Sequence, residues 1–89
     1  MGEKWMDRLD LPEEAAPAET LVEIVGHRRV LIEHHCGVTQ YGRQMICVKV
    51  KFGHISITGT GLELTRMTRG ELIVSGCIES VRLERKGNK

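Results

Sequence analysis

The stretch from Ile46 to Ile57 constrains the fold more than any other part of the chain. Ile46, Val48, Val50 and Phe52 alternate with Cys47, Lys49 and Lys51, and Gly53 then allows a reversal into Ile55 and Ile57. Successive side chains of an extended strand point to opposite faces, so this period of two predicts one buried face and one wet face. The segment reads as a β-hairpin.

The same period runs through the flanking sequence. Leu21-Val22-Glu23-Ile24-Val25 ends at Gly26, and the charged loop His27-Arg28-Arg29 leads into Val30-Leu31-Ile32-Glu33-His34-His35. Two strands and a turn are expected there. Gly37 interrupts before Val38-Thr39-Gln40-Tyr41, where a glycine in an extended run suggests a bulge or bend, and Gly42-Arg43 marks the next turn. Farther on, Gly59 and Gly61 break the strand that carries Ile55 and Ile57, and Leu62 and Leu64 resume it. Thr68-Arg69-Gly70 turns, Leu72 and Val74 run to Gly76, and Ile78, Val81 and Leu83 close the domain. The step from Ile78 to Val81 violates the period of two, and a bulge near Glu79-Ser80 restores it.

Gly53-His-Ile-Ser-Ile-Thr-Gly59 and Gly70-Glu-Leu-Ile-Val-Ser-Gly76 share the pattern Gly-x-aliphatic-x-aliphatic-x-Gly. A β-solenoid would produce such an echo, but solenoids need at least about three repeats to bury a continuous core, and only two are present. Two successive strand-turn units of an antiparallel meander are the better reading.

With 89 residues the chain allows one domain, and a domain of that size buries only about 60% of the surface its unfolded form exposes. One Trp, one Tyr and one Phe leave the core to Val, Ile and Leu, which suits pleated, half-buried strands. The scarcity of aromatic residues also argues against single-stranded nucleic acid, which is held by stacking. Residues 1–20 carry two basic and six acidic side chains, net −4, against +1 for the whole, so the remainder is +5. In that remainder Lys and Arg alternate with Glu rather than clustering.

Cys36, Cys47 and Cys77 form an odd, widely spaced set, and the N-terminal residues lack a signal peptide. Free thiols in a reducing cytosol are expected. No apolar run approaches the roughly 20 residues that span a bilayer.

Residues 1–20 read as a flexible acidic leader, 21–84 as the β domain and 85–89 as a basic tail. Within the leader, Trp5, Met6 and Leu9 fall on one side of a short helix before Pro12, and the stretch Pro12 to Thr20 reads as a linker. Large apolar residues on such a leader need a place to dock, so Trp5, Met6 and Leu9 are the candidate partner-docking residues. The balanced charges around them favour a protein surface over anionic lipid.

The segment from Val30 through Ile32-Glu33-His34-His35-Cys36-Gly37-Val38 resembles a pattern of the YabP/YqfC family of spore-formation proteins, an aliphatic strand running into Ile-Glu-Asn-His-Lys-Gly-Ile. The likeness lies at Ile32, Glu33, His35, Gly37 and Val38, whereas His34 stands for the usual Asn and Cys36 for the usual Lys. Ile55, Ile57 and Gly59, then Leu62 and Leu64, then Leu72, Val74, Gly76 and Ile78 look like the rest of that signature. Leu9-Asp10-Leu11-Pro12 resembles the YqfC branch in particular. The resemblance covers roughly Leu9–Leu83 and implies expression in the mother cell during sporulation, no catalysis, and work alongside membrane proteins at the developing forespore.

Residue chemistry offers few rivals. His34, Cys36 and His54 are the candidates for a metal- or redox-responsive site, the alternative function. Adjacent strand residues face opposite ways, so His34 and His35 do not converge, although the spacing of His34 and Cys36 allows it. The simpler reading has Cys47 or Cys36 filling small gaps and His35 bonding locally near the Gly37 bend. Nucleophilic catalysis needs a thiol beside an imidazole in a pocket, and a meander with short loops leaves little room for one. Gly59-Thr60-Gly61 lacks the Lys-Ser or Lys-Thr of a phosphate loop.

The expectation is therefore an all-β fold, a small antiparallel sandwich or rolled sheet of seven or eight short strands behind the leader. Its edges are guarded by Lys49, Lys51, Arg82 and Arg85 or paired in a symmetric homodimer. The expected function is a non-enzymatic sporulation module without metal, cofactor or nucleic acid. It is expected to bind a protein partner, a membrane-anchored sporulation protein, from the mother-cell cytoplasm at the forespore membrane.

Overall fold

The computed structural model describes residues 19–85. Six strands form a single antiparallel sheet: β1 (Leu21–Val25), β2 (Arg29–Glu33), β3 (Val38–Tyr41), β4 (Met45–Val50), β5 (Gly53–Met67) and β6 (Glu71–Arg85), in the order β1-β2-β6-β5-β4-β3. The expected seven or eight strands are thus six, in one sheet rather than the two of a sandwich. Segments read as separate strands on either side of Gly59-Gly61 and of Gly76 are continuous, because glycine lets the chain bend there without losing its partner.

Each of β5 and β6 has 15 residues, which is about 50 Å if straight, too long for a small domain. Three register shifts between them bend the pair. One leaves Glu79 unpaired, between the partners Thr58–Ser80 and Gly59–Ile78, where the broken period called for a bulge. The crease lies where the strands approach most closely. A Cβ on Gly59 would stand 2.0 Å from the Cys77 carbonyl oxygen, and one on Gly76 would stand 2.7 Å from that of Gly61. Only glycine fits at either place.

The crease divides the sheet into two halves. The first half of β6 pairs with β2, and β2 with β1; the first half of β5 pairs with β4, and β4 with β3. The Gly-x-aliphatic echo marks these two equivalent strand halves, Gly53–Gly59 and Gly70–Gly76, which follow successive turns of the antiparallel β3-β4-β5-β6 meander. Each hairpin turn also closes on the crease: the carbonyls of His27 and Arg28 accept from the N–H groups of Ile78 and Gly76, and those of Arg43 and Gln44 from Leu62 and Gly59.

Val30, Ile32, Leu72 and Val74 from one half and Ile46, Val48, Ile55 and Ile57 from the other are wholly buried in one cluster. No described helix is available to cover them, so the two halves cover each other and the sheet is doubled over. Three side chains depart from the simple alternation. Phe52 lies in the β4–β5 turn, and Leu83, opposite buried Ile55, lies on the part of β6 that β2 does not flank, so both are exposed. Cys47 is buried although its face is the wet one, because Gln40 and Ser56 lie over it.

Candidate functional site

The family-like segment between β2 and β3 is a clasp. His34 adopts a left-handed conformation with φ of 66°, which bulky residues avoid and Asn, Asp and His accept more readily. The His34 ring N–H at Nδ1 donates to the Glu19 carbonyl at 2.7 Å, and the Thr20 hydroxyl donates to the His34 carbonyl at 3.3 Å.

His35 is half-buried and uses both ring nitrogens. Nδ1 accepts from the Gly37 N–H at 3.0 Å, which leaves the proton on Nε2 to donate to the Thr68 carbonyl at 2.9 Å. The local bond near the Gly37 bend agrees with the sequence reading, and the second bond reaches the β5–β6 turn. Cys36 and Gly37 exchange backbone bonds with Lys49 on β4 at 2.6 and 2.7 Å. The motif thereby ties β2, β4 and the β5–β6 turn together.

No metal centre is assembled from His34, Cys36 and His54. His54 Nε2 contacts Glu84 at 2.7 Å on β6, and His34 is committed to Glu19. Among the described residues no group of three His, Cys, Asp or Glu side chains could share an ion. All three cysteines are free; Cys36 and Cys77 are exposed, so of the two suggested gap-fillers only Cys47 fills one.

The outer face of the β3–β4–β5 half carries a shallow depression of about 490 Å³ bordered by Gln40, Cys47, Lys49 and His54. The Cys47 thiol there lies 3.8 Å from Gln40 Oε1 and 3.6 Å from Ser56 Oγ. Its polar contacts are an amide and a hydroxyl, so no imidazole activates it.

On one side the sheet ends at the edge strand β1. Leu21, Ile24 and Val25 are 49%, 53% and 41% exposed, and the strand keeps an uninterrupted register with β2. Leu21, Glu23 and Val25 lie on the outer face, opposite Glu33, Leu31 and Arg29, while Val22 and Ile24 lie on the core side. A regular apolar edge is a template for another strand. The sequence carried a signal for it: Leu21-Val22-Glu23-Ile24-Val25 has four apolar residues in five and does not alternate, so it cannot bury all its apolar side chains on one face. Trp5, Met6 and Leu9, the sequence-based docking residues, lie outside the described residues.

These features define a small all-β protein with an open edge and no convergent reactive cluster among its described residues. The family model of the YabP family matches residues 17–89, and the chain belongs to that family. Membership suggests a sporulation-related protein, and the family is not known as one of enzymes. No curated protein and no solved structure matches the chain. Among the described residues no helix is long and apolar enough to cross a membrane.

Proposed function

We propose that the protein is a non-enzymatic interaction module of spore formation. It works in the mother cell and engages a membrane-anchored sporulation protein at the forespore membrane through an exposed strand edge or through Trp5, Met6 and Leu9 of the leader. The YqfC-like character of Leu9-Asp10-Leu11-Pro12 belongs to this reading. The observation that carries it is β1, an apolar, regular edge in a protein whose family membership suggests sporulation. A binding module needs a surface, and β1 supplies backbone groups and apolar side chains together.

The test is a deletion in the sporulating host, complemented by a fluorescent fusion. The expected results are a loss of heat-resistant spores and fluorescence confined to the mother cell, concentrated around the forespore. Normal spore numbers would remove the sporulation role, and uniform fluorescence would remove the membrane-anchored partner.

A further inference from the structure

We infer that β1 receives an extended strand of a different protein in which two apolar residues flank one central Lys or Arg on each side. The inference rests on the reading of the chain as a binding module and names the surface and the chemistry of its partner.

The backbone decides which groups are available. The Val25 carbonyl accepts from Arg28 N–H at 3.1 Å, inside the β1–β2 turn, so Val25 directs its N–H and C=O toward β2. In an antiparallel ladder the residues of one strand turn these groups alternately to one neighbour and the other. Leu21, Glu23 and Val25 therefore serve β2, and Val22 and Ile24 present theirs outward. An incoming strand bonds to Val22 and Ile24.

The side chains decide what that strand carries. On the outer face it meets Leu21, Glu23 and Val25, which call for apolar, basic and apolar residues in turn, because opposite charges across a ladder attract and like charges repel. On the core side it meets Val22 and half-exposed Ile24, which call for apolar residues. The complementary core is then apolar-apolar-basic-apolar-apolar.

A second copy fits poorly. Antiparallel pairing of two β1 strands centred on one another sets Glu23 against Glu23. Shifting the register by two, which keeps the faces, sets Glu23 against Leu21 or Val25 and runs the pairing off the strand to Glu19 or His27.

The test uses the full 89-residue chain and two synthetic peptides, Leu-Val-Lys-Ile-Val and Leu-Val-Glu-Ile-Val, each flanked by serines, with binding read by calorimetry. The Lys-centred peptide is expected to bind about fivefold more tightly, the size of one cross-strand charge pair. A Glu23→Lys variant is expected to reverse the order. Ile24→Pro removes an outward N–H and none that serves β2, so it is expected to abolish binding of both peptides while the melting curve stays in place.

Absence of peptide binding, an order unchanged by Glu23→Lys, or full binding by Ile24→Pro would each overturn the inference; the charge reversal decides the matter should Ile24→Pro not fold. A dimer in sedimentation that Ile24→Pro dissociates assigns the edge to a second copy and overturns it too. So does a red shift of Trp5 emission in Ile24→Pro, which assigns the edge to the chain's own leader. Spore counts of the deletion strain are independent of all these outcomes, so failure here is distinguishable from failure of the sporulation reading.

Discussion

β1 and β3 hold equivalent places, each the outer strand of a hairpin whose inner strand joins one long strand of the crease, yet they end the sheet in different ways. β3 has four residues, a register shift between Val38 and Gln40, and side chains turned back onto its neighbour: the Thr39 hydroxyl donates to the Cys47 carbonyl at 3.4 Å. β1 has five residues in unbroken register, and three of its four apolar side chains are exposed. Bulges and short length are the ordinary means of stopping a sheet from growing. One edge carries a bulge and the other keeps its register, so of the two β1 is the one that retains the geometry another strand needs.

Both halves of the sheet hang from one crease, and glycine substitutions there disrupt the two together. Gly59→Ala and Gly76→Ala each drive a Cβ into backbone that cannot withdraw, and Gly76 in addition has φ of 140°. Each is expected to cost about 4 kcal/mol or more, at the extreme of single substitutions, and to leave little folded protein at room temperature by circular dichroism. Tolerance of one and not the other would mean that the halves are not held alike.

Core truncation asks the same question more gently. Ile32→Ala on the β1 side and Ile46→Ala on the β3 side each empty a fully buried site. Each is expected to cost about 2–5 kcal/mol in urea unfolding, with similar values for the two. A gap of more than about 2 kcal/mol between them would show that one half packs loosely and that the edges differ for that reason.

What the sequence made legible follows from the range of the interactions involved. The Ile46–Val50 alternation and the extra residue at Glu79 are local, and both were readable. So was the His35–Gly37 contact, which spans two residues. The crease was not readable, because Gly59 looks like a strand break until Cys77 is known to lie against it. The same limit hid the cover over Cys47, which depends on Gln40 and Ser56 from the neighbouring strands. Phe52 and Leu83 kept the strand period in sequence, but one lies in a turn and the other on a stretch of β6 that no second strand flanks. In the candidate site, His34, Cys36 and His54 shared an attractive chemistry that the register separates, and β1 was legible as a strand with apolar residues on both faces, while its place at the end of the sheet depends on the long-range pairing of β2 with β6.

The clasp at His35 gives an intermediate effect. It joins the end of β2 to the β5–β6 turn, so His35→Ala leaves the Thr68 carbonyl and the Gly37 N–H without their partner. The expected loss is about 1–3 kcal/mol by urea unfolding, since the site is only half-buried and water replaces part of what is removed. A loss below about 0.5 kcal/mol would show that the backbone bonds of Cys36 and Gly37 to Lys49 hold the segment without the imidazole.

The smallest change in stability bears most directly on the two edges. Val25→Lys on β1 and Tyr41→Lys on β3 both replace exposed side chains, so each is expected to alter unfolding free energy by less than about 0.5 kcal/mol. Their effects on association should nonetheless diverge. A lysine on a regular apolar edge opposes the approach of another strand, whereas one on an edge already bulged removes nothing that was available. Val25→Lys is therefore expected to raise the concentration at which the protein aggregates on heating, as read by light scattering, while Tyr41→Lys leaves it unchanged. Equal shifts in both would mean that added charge alone suppresses aggregation. The contrast between the edges would then reside in their shapes and not in how readily they accept a strand.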